Sequence, residues 1–244
     1  MKKTLSLLLI LMLVCILWLP AALCEAVADA TGSDTSALTL SVTQVYVSIS
    51  DDTAALRLAM EPVYATDCDM DGVVTIHDAL ACAHAAAHPE GAAAYSAVPT
   101  EWGLSLMKLW GVENGGSYGY YLNDASAWSL MDPVKEGDHV KAYAFSDLTA
   151  FSDTYCYFDA PQVETTVGDT ISLTLTAAAF DENFAPVTLP VAGAKLIIDG
   201  EATDILTDEA GSVKLTFVEA GSYIVTAQSD DMTLVPPVCI IKAW

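Results

Sequence analysis

The sequence predicts an α+β domain followed by an all-β sandwich. Three observations carry that reading. Ile76, Leu80, Ala83 and Ala87 recur at helical spacing between two strand-like stretches. From Gln162 onward apolar and polar residues alternate with period two, as in "TISLTLT". Turn signals punctuate that second half at short, regular intervals, as sandwiches require.

The chain of 244 residues opens "MKKTLSLLLILMLVCILWLPAALCEA", with two lysines, an apolar run and a small-residue exit after Pro20. This is the pattern of a secretory signal peptide over 1–26, with cleavage after Cys24 or Ala26; an uncleaved anchor is the alternative. A polar linker covers 27–37. The chain carries 32 Asp+Glu against 9 Lys+Arg, a balance that repels nucleic acid and anionic membrane surfaces and favours cations. A hydrophobic fraction of 53% excludes a disordered acidic tail. Localisation is expected to be secreted or cell-surface, with no membrane span after signal cleavage.

The first domain is expected over 38–160. "LTLSVTQVYVSIS" and "AALRLAMEPVYATD" flank Asp51–Asp52 as a β-hairpin. Thr75 and Asp78 open the helix as a capping box, and His88-Pro89-Glu90-Gly91 closes it. "GLSLMKLWG" and "GSYGYYLND" flank Glu113–Gly116 and read as a strand pair around an Asn-Gly turn; "HVKAYAFSD" adds another strand. Strand, strand, helix, then three strands describes one helix on a mixed sheet, a β-grasp-like layout. A boundary falls near Ala160–Pro161. Over 162–244, short alternating strands and the Asp-Gly turn in "AKLIIDGEATDIL" indicate an immunoglobulin-like sandwich without the Cys–Trp–Cys core.

Residues 42–147 resemble the transcobalamin-like domain of unknown function of exported bacterial proteins. The likeness rests on a hairpin, then Thr75, Asp78, Ala79 and Leu80 at the helix. It continues with Tyr118, Tyr120, Tyr121 and Asn123 in a "Y-x-x-N" strand, and Lys135, Gly137, Asp138 and Val140 in a "K-x-G-D-x-V" turn. "TDEAGSVKLTFVEAGSYIVTA" is similar to bacterial Ig-like surface domains, which implies a spacer or adhesion module. The first resemblance implies the fold alone, because no cobalamin-contacting residue maps onto this chain.

"DCDMDGVVTIHD" matches a twelve-residue calcium loop. A hard cation needs six or more oxygens, here from Asp67, Asp69, Asp71, the Val73 carbonyl, Thr75 and Asp78, with Gly72 at the sharp turn. Asp at the last position resembles a dockerin loop; Asp78 also reads as the helix cap, and the whole stretch as a solvated acidic turn. Bound Ca2+ would be a structural clamp. His77, His84 and His88 share one helix face, as solvated histidines or a zinc set. Trp110, Tyr118, Tyr120, Tyr121, Trp128, Tyr143 and Tyr157 are either core or a sugar-stacking platform. Cys68, Cys82, Cys156 and Cys239 allow three disulfide pairings, and buried free thiols suit Cys156 and Cys239 equally. No nucleophile elbow, phosphate loop or H-E-x-x-H motif occurs. The expected function is non-catalytic: a secreted or surface binding or adhesion protein with a structural calcium site, its partner an extracellular protein or glycan. Dockerin-like assembly of a polysaccharide-degrading system and binding of a small cobalamin-like ligand are the alternatives.

Overall fold

The computed structural model describes residues 41–183 and 185–244; the signal peptide and linker expected over 1–37 lie outside them. The first strands, β1 (Val42–Ser50) and β2 (Leu56–Thr66), form the expected antiparallel hairpin. Its turn is held by Asp51, whose carboxylate accepts from Thr53 N–H at 2.9 Å, Thr53 Oγ1 at 2.6 Å and Ala55 N–H at 3.2 Å, and pairs with Arg57. Helix α1 (Ile76–Ala87) follows, then a 3₁₀ turn (Gly91–Ala94) and a small separate hairpin of β3 (Ser96–Thr100) and β4 (Gly103–Lys108). Strands β5 (Tyr118–Leu122), β6 (Ala125–Ser126) and β7 (His139–Ala144) complete the first half.

These strands form one mixed sheet in the order β2-β1-β7-β5-β6, with β1 parallel to β7 and the other neighbours antiparallel. Strand β1 lies inside the sheet between β2 and β7, and its alternating Val45, Val47 and Ile49 are fully buried against Ile76, Ala79, Leu80 and Ala83 of α1. Tyr118 and Tyr120 pack on this same core, while Tyr121 points to the opposite face. Gly119, between them, lies where any Cβ would collide with the buried Tyr143 ring.

The Asn114-Gly115 stretch does not join β4 to β5. Strand β4 turns back on β3 instead, and β5 pairs with β6 and β7. The chain leaves the strand direction at Trp110 and Gly111, both at positive φ, and Leu109 bridges Val112. Trp110 gives its N–H to His84, and Leu109 is fully buried, so burial pulls this segment onto the helix. Asn114 closes a local loop, donating to Ser117 O at 2.7 Å and accepting from Ser117 N–H at 3.2 Å.

The second half is an all-β sandwich. One sheet contains β8 (Thr154–Phe158), β10 (Thr170–Phe180), β11 (Pro186–Pro190), β14 (Ser212–Thr216) and β16 (Leu234–Val235). The other contains β9 (Gln162–Thr165), β12 (Lys195–Ile198), β13 (Glu201–Leu206), β15 (Gly221–Gln228) and β17 (Cys239–Ala243). Leu173, Leu175 and Leu215 from the first sheet meet Leu196, Val225 and Ile241 from the second in one buried cluster. The Asp-Gly turn forms as read, with Asp199 and Gly200 both at positive φ between β12 and β13.

Strand β8 lies before the expected boundary at 160, yet it pairs antiparallel with β10. Its sheet partners place it with the sandwich, because Cys156 and Phe158 are buried in that core. Its other face contributes Tyr155, which stacks on Tyr121 with centroids 3.4 Å apart and meets Tyr143 and Val235. Here the β-sheet of the first half and the sandwich share an apolar cluster, and Lys141 is sealed in beside it. The Lys141 ammonium pairs with Asp124, which also accepts from Tyr155 OH at 2.7 Å. Asn123 and Asp124 are both at positive φ, the tight turn that aims Asp124 at this contact.

Candidate functional site

The acidic loop runs from the end of β2 directly into α1, so no helix enters it. Asp67, Asp69 and Asp71 converge, each placing one carboxylate oxygen within 4.8 Å of the others. The loop organises itself around Asp67, whose carboxylate accepts from Asp71 N–H at 3.1 Å and Gly72 N–H at 2.8 Å. Gly72 sits at φ +95°, a conformation that side chains disfavour. Val73 donates its N–H to Asp71 at 2.9 Å. Burial, and then the neighbouring charges of Asp71 and Asp78, push the Asp69 carboxyl up.

Asp78 is not part of that cluster, and it pairs with Thr75 instead. Both are buried, and their side chains are spent on the helix start. Asp78 accepts from Cys68 N–H at 2.7 Å, from Thr75 N–H at 2.8 Å and from Thr75 Oγ1 at 2.8 Å. The Thr75 hydroxyl in turn accepts from Asp78 N–H, completing the capping box. The remaining free N–H groups of the first turn go to a crossing segment: Ile76 donates to Asp132 O at 3.0 Å and His77 to Leu130 O at 2.8 Å. Of the six ligands expected from the sequence, the structure brings together three carboxylates, and it assigns Thr75 and Asp78 to the cap.

The histidines are structural. His84 is fully buried; its Nδ1 faces Leu80 O at 2.6 Å and its Nε2 accepts from Trp110 N–H at 2.8 Å. A carbonyl only accepts and an N–H only donates, so the ring is neutral with its proton on Nδ1. His77 Nδ1 meets Tyr95 OH at 2.8 Å, and His88 packs edge-on against Trp110. His139 is buried too, with Nε2 2.8 Å from the Ser48 hydroxyl. Burial lowers His84 to about 4 and His139 to about 3, with the Lys141 charge adding to the latter.

Most of the aromatic set proves to be packing. Trp110, Tyr118 and Tyr120 lie on the helix core, and Tyr121, Tyr143 and Tyr157 in the cluster facing the sandwich. Trp128 alone of the seven stands out, 95% exposed, and is joined by Trp102, 87% exposed, which the sequence reading did not single out. Trp102 occupies the tip of the β3–β4 hairpin, where Thr100 Oγ1 accepts its N–H at 3.2 Å. The two turns touch: a Cβ on Gly103 would lie 3.5 Å from Ser129 Oγ. The signal that could have found Trp102 is its place at a turn before a glycine, where an indole has little to pack on. A cleft of about 940 Å³ lies elsewhere and is lined by Arg57, Leu58, Glu61, Ile197, Asp199 and Thr226, with none of these aromatics.

No protein-family description matches the sequence, and no curated protein does. Among solved structures, the chain aligns with the D0-D1 domain of intimin at 12% identity and TM-score 0.27, over 83% of this chain and 98% of that one. The N-terminal Ig1-2 module of the Drosophila receptor protein tyrosine phosphatase DLAR aligns at 13% identity and TM-score 0.26, over 62% and 75%. Tandem Ig repeats of Dlar align at 12% identity, TM-score 0.25 and the same coverage. TM-scores this low leave the sandwich to be read from its own strand pairing. Among the described residues no helix is long and apolar enough to cross a membrane.

Two expectations follow. Replacing Asp78 by Ala strands the Cys68 and Thr75 N–H donors in a buried site and removes the cap, a loss of about 2–4 kcal/mol in urea unfolding. Unchanged stability would show that the cap does not hold the loop. For pH, His84 and His139 have folded values below the ordinary 6.5, so the unfolded chain binds protons first as pH falls. Stability is therefore full above about pH 6.5 and declines as pH drops toward the folded values, each ring costing about 2 kcal/mol by pH 5. Urea titrations at steps between pH 7 and pH 5, where carboxylates are still mostly ionised, read this slope; a flat profile contradicts it.

Proposed function

We propose that this is a non-catalytic, exported binding or adhesion protein of bacterial type, with Ca2+ as a structural ion in the acidic loop and a ligand surface centred on Trp102 and Trp128. The first half is read as a β-grasp-like domain. Its support is the strand order, with a leading hairpin whose first strand runs parallel to the last strand and a single helix across one face. The second half is read as immunoglobulin-like. Its support is the two-sheet core and the way the leading segment changes sheets, β8 joining β10 and β9 running parallel to the final strand β17. The domain boundary then falls in 145–153, ahead of β8.

The observation that carries the binding role is the exposed tryptophan pair. Two largely exposed indoles on adjoining turns offer apolar ring faces to a ligand. Flat, uncharged ring faces suit the sugar faces of a neutral glycan, and the net charge of -23 disfavours anionic partners. Nothing in the geometry favours a dockerin-like role, since β2 rather than a helix enters the loop. The tyrosines that a cobalamin-like pocket would need are packed in cores.

For calcium, the fit is one of size. Oxygens in a calcium shell at 2.3–2.6 Å lie up to about 5 Å apart, which the carboxylates of Asp67, Asp69 and Asp71 satisfy, with the Val73 carbonyl next in the loop. Two tests follow. Millimolar Ca2+ should raise Tm by about 3–5 °C over EDTA, and Asp69→Asn with Asp71→Asn should abolish the difference. A Tm indifferent to both, with no heat on calcium titration, identifies a solvated acidic turn. On a glycan array, Trp102→Ala with Trp128→Ala should lose the bound signals while Tm moves by no more than about 1 °C. Retained binding, or no binding by the parent protein to any neutral glycan, sinks the tryptophan surface and turns the search to protein ligands.

A further inference from the structure

Cys68 and Cys82 stand apart from the other two cysteines of the described residues. Cys156 and Cys239 are buried in the sandwich core, where burial pushes both thiols up to about 12. Cys68 is exposed at the start of the acidic loop, and Cys82 is half-buried in α1; their Sγ atoms lie 3.6 Å apart. This approach has a cause in the fold. Asp78 and Cys82 are four residues apart and therefore share a helix face, one turn above the other. Asp78 grips the Cys68 N–H at 2.7 Å, which sets the Cys68 side chain over Cys82. Both sulfurs also meet the Thr66 hydroxyl, at 3.9 and 3.8 Å, so the end of β2 joins the same contact.

We propose that Cys68 and Cys82 form a disulfide that staples the acidic loop onto α1 and pre-orients its carboxylates for a divalent cation. The bond itself rests on the thiol geometry alone; its effect on the cation rests on the calcium reading above. Bond formation needs the sulfurs to close from 3.6 Å to about 2.05 Å, a movement that the exposed Cys68 side chain has to make. The oxidant is an organic disulfide, RSSR. One thiolate of the pair attacks a sulfur of RSSR and expels RS⁻; the second, having lost its proton, attacks the mixed disulfide and expels the other RS⁻. Two protein thiols and RSSR thus give one protein disulfide and two RSH. The ring closed by the bond contains Asp69, Asp71, Val73, Thr75 and Asp78, and Asp67 adjoins it. The crosslink therefore removes freedom from the very segment that a cation has to order.

The test uses the exported chain, alkylated under denaturing conditions before any reduction and digested with trypsin. The peptide that carries Cys68 and Cys82 should be unalkylated and about 2 Da lighter than its reduced form. Dithiothreitol should lower Tm by about 6–12 °C, Cys82→Ser should reproduce that value, and the reductant should then have no effect on the variant. Full alkylation of both cysteines, even after incubation with oxidised glutathione, overturns the crosslink. Calorimetry with Ca2+ on oxidised and reduced protein reads the second claim. Several-fold tighter binding when oxidised supports pre-orientation, and equal affinities overturn it. A crosslinked peptide with no calcium heat in either state overturns the calcium reading and leaves the disulfide standing.

Discussion

The carboxylate of Asp78 is the constraint on which the first half of the molecule depends. It is fully buried, and a buried carboxylate persists only if its oxygens are supplied with donors. The fold supplies three, from the backbone of Cys68 and from the backbone and hydroxyl of Thr75. Those donors sit at the two ends of the acidic loop, so satisfying one charge fixes both where β2 stops and where α1 starts. The rest follows. Ile76 and Leu80 enter the core at the right height, Leu130 and Asp132 offer carbonyls to the first helical turn, and the Cys68 and Cys82 sulfurs meet.

A second buried charge joins the two halves of the fold. Lys141 projects from the sheet face opposite α1, and its ammonium is nearly sealed off, with Asp124 as its counter-ion. Such a pair stabilises little by itself, because desolvation offsets attraction, but it tolerates few alternative arrangements. Tyr155 makes it specific: its hydroxyl reaches Asp124 while its ring stacks on Tyr121. The aromatic cluster supplies apolar burial, and the ion pair fixes which way the surfaces meet. The exposed Trp102 and Trp128 lie on turns outside this cluster, on loops that the packed framework leaves free to vary.

Local signals were legible wherever neighbouring residues answered one another. The Asp51 turn, the Thr75–Asp78 capping box and the Asp199-Gly200 hairpin form as the sequence implies, since each is closed by partners within a few residues. The reading failed where a distant partner competed. Asn114-Gly115 has good turn chemistry, yet His84 takes the Trp110 N–H and draws the chain aside before the turn is reached. Strand β8 resembles its neighbours in sequence, but the apolar faces of Cys156 and Phe158 are claimed by the sandwich. The loop shows the same division. Carboxylates at alternate positions predicted a ring of oxygens, and three converge; the other two side chains of the set are held by the helix cap.

Periodicity, turn chemistry and charge by themselves settled the leading hairpin, the helix and its cap, and the acidic character of the loop, because these depend on contacts close in sequence. Tertiary structure alone decided which sheet each strand joined, which rings were buried and which stayed in water, and which thiols met. Those outcomes depend on how distant apolar faces and buried polar groups are matched. Sequence spacing is blind to that matching: Cys68 and Cys82 are neighbours only because Asp78 folds the loop back over its own helix.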